Sequence, residues 1–279
     1  MIIITGATGQ LGSRVVEQLL RRVPAERVGV SVRDPGKAGD LGGARVRRGD
    51  FADPGSLAEA FEGASQVLVV SAAVTGEEAL ALHRTAIEAA TKAGARRVLY
   101  TSHQGAADDS VFAPMPDHAA TERILSKTAP SYTSLRNGFY ATTVPWLLGR
   151  ALETGELLAP QDGPVSWTSH DDLAEATAII LADEGRFDGP TPPLTGPAAL
   201  DFADVARELS EMTGRSIRRV VVDDEEYGAA LNLPAERTAM MLGMFRASRR
   251  GEFATVTPDL AQILGRPATP LRDLLAKLL

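Results

Sequence analysis

Cysteine is absent from the 279-residue sequence. Its absence excludes disulfide bonds, thiolate metal sites and a thiol nucleophile. It also fits a reducing compartment, and the N-terminus lacks the pattern of a signal peptide, so we expect a cytoplasmic protein. No grouping of histidine, aspartate and glutamate has the spacing of metal ligands, and we therefore expect no bound metal.

Long apolar runs and an excess of positive charge are also missing. No stretch approaches the roughly 18 consecutive apolar residues that a membrane-spanning helix needs. Lysine and arginine number 29 against 36 aspartates and glutamates, and the formal net charge is −7. Binding to nucleic acid depends on cations that neutralise phosphates. We therefore expect neither a membrane nor a nucleic-acid partner, and we leave a homodimer open.

What the sequence does contain, over residues 1–140, is an alternation of short apolar strands and amphipathic helices. This rhythm is typical of βαβ units and predicts an α/β, Rossmann-like, doubly wound parallel sheet. The predicted strands are 2–5, 28–32, 45–48, 66–71, 98–102 and 132–136, and the predicted helices are 10–22, 54–62, 77–93 and 118–127.

The alternation loosens over residues 141–279, where prolines divide the chain into shorter pieces. We predict helices at 171–182 and 201–213, a strand at 217–222, and further helices beyond Asp223. We interpret residues 1–140 as the dinucleotide-binding domain. The remainder is predicted to be mostly a smaller, interleaved substrate-side lobe, with some segments returning to the main sheet.

Three glycines follow the first strand and open the first helix. In this context Gly6 permits a tight turn, Gly9 lets the backbone approach a pyrophosphate, and Gly12 lets the helix pack closely on the strand. The start of the helix then presents free N–H groups and a partial positive charge to the phosphates. The pattern predicts a nicotinamide-dinucleotide site.

The end of the second strand decides between the two forms of the cofactor. NAD-selective sites place a carboxylate there, which accepts a hydrogen bond from the ribose 2′-hydroxyl. This chain has Arg33, whose guanidinium suits a 2′-phosphate, followed by Asp34, which is able to serve as the ribose acceptor. We favour Arg33 and NADPH, with NADH the less favoured cofactor.

Two further segments lie at predicted strand ends. Asp50 and Phe51 follow the third strand and either bracket the adenine or form a turn before the helix at Pro54. Small residues at 71–73 follow the fourth strand and leave room for the dinucleotide to lie across the strand tips.

Several segments together resemble one family. The segments GATGQLG, VRDP, GDF, HRTAIEAATKAG, RRVLYTS, HAATERIL and TSLRNGFY are similar to those of the NmrA-like atypical short-chain dehydrogenases/reductases. The resemblance is strongest to the branch with type-two NADPH-dependent quinone oxidoreductases and triphenylmethane reductases.

The resemblance implies hydride transfer from NADPH to a quinone-like or other conjugated acceptor. It implies cofactor contacts at Gly6, Thr8, Gly9, Gln10, Leu11, Arg33, Asp50, Phe51, Ser71, Ala72 and Ala73. It also implies a substrate position between the C-terminal lobe and residues Asn137, Gly138, Phe139 and Tyr140. One departure concerns residues 141–146, where this chain lacks the acidic residue and asparagine that often follow the aromatic residue in this branch.

The Tyr-x-x-x-Lys pair of ordinary short-chain dehydrogenases is missing. His118 and Glu122 are four residues apart on one helix face, which suggests an acid with an orienting carboxylate or a local structural hydrogen bond. Ser102, at the tip of the fifth strand, either polarises a carbonyl or caps the next segment. His103 is a minor pocket candidate.

Three functions fit these residues. The favoured one is a reductase of quinones or related conjugated molecules. The alternative is a non-catalytic sensor that reads the NADP(H) pool and acts through a protein partner, which the missing tyrosine favours. A sugar-nucleotide epimerase is the third, and the same missing tyrosine argues against it.

Overall fold

The computed structural model describes residues 1–277. Within these residues the strands are β1 (Ile2–Thr5), β2 (Val28–Val32), β3 (Arg45–Arg48), β4 (Gln66–Val69), β5 (Arg97–His103), β6 (Tyr132–Asn137), β7 (Phe139–Tyr140), β8 (Glu156–Pro160), β9 (Trp167–Thr168), β10 (Gly189–Pro190) and β11 (Arg218–Val222). The α-helices are α1 (Gln10–Leu20), α2 (Pro54–Ala60), α3 (Gly76–Lys92), α4 (Pro114–Thr128), α5 (Val144–Leu147), α6 (Ala151–Thr154), α7 (His170–Ala182), α8 (Phe202–Thr213), α9 (Asp224–Ala230), α10 (Ala235–Arg249), α11 (Asp259–Leu264) and α12 (Leu271–Leu275).

Seven parallel strands form the central sheet, in the order β3-β2-β1-β4-β5-β6-β10. This arrangement confirms the predicted Rossmann-like fold. The strand order reverses between β1 and β4, and ligands of open α/β sheets bind at this switch point, beyond the carboxyl ends of the strands. The first glycine turn and residues 71–73 follow these two strands, so both segments lie at this edge.

Each face of the sheet is covered by helices. Successive residues of a strand point to opposite faces, and the buried strand β1 illustrates this. Ile2 and Ile4 pack with α1, α7 and α11 on one side. Ile3 packs with α2, α3 and α4 on the other. Because both of its faces are buried, β1 is a continuous apolar run rather than an alternating one.

The second half of the chain builds a separate aromatic core and also reaches back to the sheet. Phe139, Trp167, Phe202, Phe245 and Phe253 are members of one buried cluster. Two small parallel pairs, β8 with β11 and β7 with β9, border it. Strand β10 pairs with β6 at the edge of the central sheet, and α7 packs against α1.

Element boundaries differ from the predicted ones by a few residues at several ends. Helix α4 begins at Pro114 rather than at His118, because proline at the first helical position lacks only an N–H that would be unsatisfied there. Helix α7 begins at His170, and Ser169 Oγ accepts hydrogen bonds from the backbone N–H groups of Asp171 and Asp172. Among the described helices, none has the length and apolar character needed to cross a membrane.

Candidate active site

The turn between β1 and α1 has the geometry of an anion cradle. Gly6 has a φ of +62°, and a Cβ at Gly12 would lie 2.2 Å from the carbonyl oxygen of Gly6. Only glycine fits this close approach. Gly9 caps α1 without any side-chain hydrogen bond, and the first turn of the helix carries no acidic residue. The N–H groups at the start of α1 are therefore available to an anion, with no carboxylate in the first turn to repel it. These residues fit a dinucleotide diphosphate.

The other members of this segment complete the cradle. Thr8, Gly9 and Gln10 are exposed, whereas the side chain of Leu11 is buried beneath α1. Only the backbone of Leu11 is therefore available to a phosphate.

Arg33 and Asp34 follow β2 at the same edge of the sheet, and both are exposed. The Asp34 carboxylate accepts a hydrogen bond from the Gly36 N–H at 3.0 Å and lies 3.6 Å from Lys37 Nζ. Within residues 1–277, Arg33 has no carboxylate within 4.0 Å. The carboxylate is thus engaged in its own turn, while the guanidinium is available to a ligand.

Asp50 and Phe51 are half-buried at the end of β3. Asp50 Oδ1 accepts from the Ala52 N–H at 3.0 Å, and the Asp50 N–H donates to Ser56 Oγ at 2.9 Å. Phe51 packs against the cluster beneath α2 and α3. Both residues shape the turn before α2, and the contact with adenine stays a prediction.

Residues 71–73 are held at the tip of β4 by hydrogen bonds that their backbone donates to side chains of two neighbouring elements. The Ser71 N–H donates to Thr101 Oγ1 at 2.8 Å, and the Ala72 N–H donates to His83 Nε2 at 2.9 Å. Ala73 is exposed. His83 therefore has a structural task in positioning this loop.

A cavity of about 400 Å³ opens beside the cradle. Its described lining consists of Gln10, His103, Phe112, Pro114, Met115, His118, Phe139, Tyr140, Thr142, Thr143, Trp146, Met240, Met241 and Met244. Gln10 belongs to both the cradle and the cavity lining, so the two sites adjoin. The described lining contains no aspartate, glutamate, lysine or arginine, which suits an uncharged, flat ligand.

The predicted substrate residues separate into two pairs. Phe139 and Tyr140 line the cavity. Asn137 and Gly138 do not, and both are buried. A Cβ at Gly138 would lie 2.1 Å from Thr168 Oγ1, so this glycine serves close packing of β7 on β9. Whether Asn137 contacts a ligand stays a prediction.

His118 lines the cavity and contacts a buried tyrosine. Its Nδ1 lies 2.8 Å from the hydroxyl of Tyr100, which is fully buried on β5. Burial lowers the pKa of His118 to about 4. The imidazole is therefore neutral at pH 7 and able to donate one hydrogen bond, and its predicted role as an acid stays a prediction.

The predicted pairing of His118 with Glu122 is absent from the described residues. The Glu122 carboxylate instead accepts hydrogen bonds from Ser102 Oγ at 2.8 Å, Ser134 Oγ at 2.9 Å and the Arg136 guanidinium at 2.7 and 3.0 Å. Burial alone would raise the pKa of Glu122, but the hydrogen bonds from Arg136 and Ser102 outweigh it and hold this pKa below its usual range.

The same network concerns Ser102, the second predicted catalytic residue. Its side chain is buried, and its hydroxyl proton is donated to Glu122. Ser102 is not part of the cavity lining. A role in polarising a substrate carbonyl stays a prediction, and the hydrogen bonds favour a structural one.

Several lining residues were not predicted as a site. Phe112 and Met115 come from the start of α4 and its preceding loop, and Phe112 stacks on Phe139 with ring centroids 5.9 Å apart. Tyr100 lies behind the lining. A tyrosine inside an otherwise apolar strand signals a buried hydroxyl that needs a partner, and this signal points to Tyr100.

Comparisons with known proteins extend over nearly the whole chain. A family model described as NAD(P)H-binding matches residues 6–184. Quinone oxidoreductase 2 of Escherichia coli is 33% identical, over 98% of this chain and 96% of that protein.

Two solved structures resemble this chain over its whole length. That of the NADPH-dependent quinone oxidoreductase from Escherichia coli, complexed with NADPH, has a TM-score of 0.93 and 31% identity, and covers 100% of this chain and 99% of its own. That of a triphenylmethane reductase from Citrobacter sp., complexed with NADP(H), has a TM-score of 0.91 and 31% identity, and covers 100% of both chains.

Proposed function

The chain belongs to the NAD(P)H-binding family, and we propose that it is an NADPH-dependent reductase that transfers a hydride to a quinone or a similar flat, conjugated molecule. The family predicted from the resemblance to NmrA-like proteins is thereby confirmed. The observation that carries the proposal is the position of the uncharged aromatic cavity. It shares Gln10 with the cradle, so a flat acceptor bound there lies directly beside the cofactor site.

The cofactor site uses backbone donors and one cation. The N–H groups at the start of α1 bind the diphosphate, and Arg33 binds the 2′-phosphate that distinguishes NADPH from NADH. Residues 71–73 support the strand-tip side of the dinucleotide. NADPH, when bound, supplies the hydride, which carries two electrons and one proton.

The protein residues around the acceptor orient it and exclude water. Phe139, Tyr140 and Trp146 offer aromatic faces, while the methionines of α10 adapt to a flat ligand. The neutral His118 donates a hydrogen bond to the oxygen on which negative charge develops. Solvent supplies the second proton, so one quinone, one hydride and one proton yield one hydroquinone.

The proposal is tested by steady-state oxidation of NADPH with a panel of quinones, azo dyes and triphenylmethane dyes. We expect saturable turnover with at least one quinone. Absence of turnover with every acceptor, together with equal affinity for NADPH and NADP⁺, would favour the sensor instead. Gly12→Ala is the inactive control, because its Cβ would lie 2.2 Å from the carbonyl oxygen of Gly6 and displace the turn that forms the cradle.

Three expectations from the sequence concern the partners and the location of the protein rather than its reaction. A homodimer, the absence of a nucleic-acid partner and a cytoplasmic location stay predictions. Sedimentation velocity of the purified protein measures the first of these directly.

A further inference from the structure

We propose that His103 and His118 form a pair of neutral hydrogen-bond donors that together bind one carbonyl oxygen of the acceptor, and that Tyr100 is the residue that fixes the tautomer of His118. The inference rests on the proposed function and specifies how its acceptor is held. It assigns a task to His103 and to Tyr100.

The tautomer of His103 follows from a backbone contact. The Gly105 N–H lies 3.0 Å from His103 Nδ1, and a backbone N–H only donates. Nδ1 is therefore the acceptor nitrogen. A neutral imidazole carries its one proton on the other nitrogen, so His103 has its N–H at Nε2.

The tautomer of His118 follows from the single proton of Tyr100. Burial raises the pKa of Tyr100, so the phenol keeps its proton and has one hydrogen to donate. Thr121 Oγ1 also lies beside the phenol, but it already donates to the Asp117 carbonyl oxygen at 2.8 Å and lies 2.9 Å from its partner His83 Nδ1. The hydrogen bond of the phenol among the described residues is with His118 Nδ1, at 2.8 Å. We assign the phenol proton to this bond, which leaves the imidazole proton on Nε2.

Both Nε2–H groups are unsatisfied by protein. Within residues 1–277, neither Nε2 atom has a hydrogen-bond partner, and neither is among the fully buried polar atoms without one. Since both residues line the cavity, these N–H groups reach it. A donor in an apolar cavity is destabilising when no acceptor meets it, which favours a ligand that carries an oxygen.

The two rings are arranged to act together. They lie nearly parallel, with centroids 6.2 Å apart and an interplanar angle of 24°. Burial lowers the pKa of His103 to about 3 and that of His118 to about 4, so neither ring is a cation at neutral pH. A carbonyl oxygen has two lone pairs and accepts both hydrogen bonds. Because neither ring carries a charge, the two rings do not repel each other when both donate to one carbonyl oxygen.

His83 provides an internal contrast within the same protein. Its Nε2 accepts from the Ala72 N–H, and its Nδ1 donates to Thr121, so both nitrogens are satisfied by protein. It carries the opposite tautomer and lies outside the cavity lining.

The first test needs no cofactor and no turnover. Nitrogen-15 NMR of protein labelled at histidine reports each tautomer at pH 7. We expect the proton on Nε2 in His103 and His118 and on Nδ1 in His83. Tyr100→Phe removes the phenol proton, so His118 becomes a tautomer mixture while His103 is unchanged. A proton on Nδ1 of wild-type His118 overturns the assignment, and an unchanged His118 in Tyr100→Phe overturns the role of Tyr100.

The second test compares 1,4-naphthoquinone with naphthalene, a hydrocarbon of the same shape without the oxygens. The chain has no cysteine, so thiol adducts with the quinone are excluded. We expect 1,4-naphthoquinone, but not naphthalene, to shift the Nε2 resonances of both donors. His103→Leu and His118→Leu should each weaken quinone binding by about 3- to 10-fold and leave naphthalene binding within about twofold.

The two tests separate this proposal from the reductase itself. Quinone turnover by the wild type, with leucine variants that lose affinity for quinone and naphthalene equally, would overturn the donor pair and retain the reductase. Quinone binding through both imidazoles without any oxidation of NADPH would support the pair and overturn the reductase. A wild type that binds naphthoquinone no better than naphthalene also overturns the pair.

Discussion

Replacement of Arg33 by alanine should convert a protein that prefers NADPH into one that barely distinguishes it from NADH. Arg33 follows β2, is exposed, and has no carboxylate within 4.0 Å among residues 1–277. Asp34 is held by the Gly36 N–H at 3.0 Å, so its carboxylate already has a partner. The guanidinium is therefore the group at this strand end that is available to a 2′-phosphate.

The magnitude follows from the charge of both partners. A hydrogen bond between charged groups contributes about 1.5–3 kcal/mol, so Arg33→Ala should raise the dissociation constant for NADPH by about 10- to 150-fold. NADH has no 2′-phosphate, and its affinity should stay within about twofold. The free energy of unfolding without ligand should change by less than about 0.5 kcal/mol, because an exposed side chain without a protein partner is removed.

Titration calorimetry with both dinucleotides measures the preference. Lys37→Ala is the matched control, since it removes the same charge from a neighbouring exposed position where Nζ lies 3.6 Å from Asp34. The control should retain most of the preference for NADPH. An equal loss of affinity for NADPH and NADH in Arg33→Ala would refute the assignment and direct attention to Asp34.

Three further changes test the cradle, the carboxylate network and the buried histidines. Gly12→Ala should abolish dinucleotide binding and lower the melting temperature, because its Cβ would lie 2.2 Å from the Gly6 carbonyl oxygen; calorimetry with undiminished affinity would contradict this. Glu122→Gln should destabilise the fold by about 2–4 kcal/mol, since Arg136 loses a buried charged partner, whereas a urea midpoint equal to that of wild type would show that the network is unimportant. Burial lowers the pKa of all four histidines below the usual value of 6.5, so the unfolded chain binds protons that the folded chain does not. The free energy of unfolding should be at its full value above pH 6.5 and should fall as the pH drops towards 4, by about 1–2 kcal/mol per histidine at pH 5. A urea midpoint that stays constant across this pH range would contradict the expectation.

The fold was predictable because its signals are local. A buried parallel strand is a continuous apolar run, so the residues Ile2 to Ile4 predict β1 from the local sequence alone. The helix that follows is marked by its glycine turn. The pattern predicts that α4 begins at His118, but the helix begins four residues earlier, because Pro114 suits the first helical position, where its missing N–H has no helical partner to lose.

The candidate site was only partly predictable because its chemistry depends on contacts across the fold. The spacing of His118 and Glu122 places them on one helix face, and this suggested a pair. Arg136 and Ser102, on neighbouring strands, instead offer Glu122 charged and hydroxyl donors. A bidentate guanidinium is a stronger partner for a buried carboxylate than a neutral imidazole.

The neutral histidines also bear on which acceptors the proposed reductase would favour. Hydride transfer to an ordinary ketone leaves an alkoxide, whose conjugate acid is about as weak as water, whereas reduction of a quinone leaves a phenolate, whose conjugate acid resembles tyrosine with a pKa of about 10. The difference of about 6 pKa units corresponds to roughly 8 kcal/mol of free energy, by which the alkoxide is the less stable anion and has the greater need of a protein acid. Imidazoles whose pKa is about 3 to 4 hold no transferable proton at pH 7, and within the described lining no lysine or arginine assists them. Without the proton donor of Tyr-x-x-x-Lys, the proposed reductase should therefore favour acceptors whose reduced form is already a stable anion.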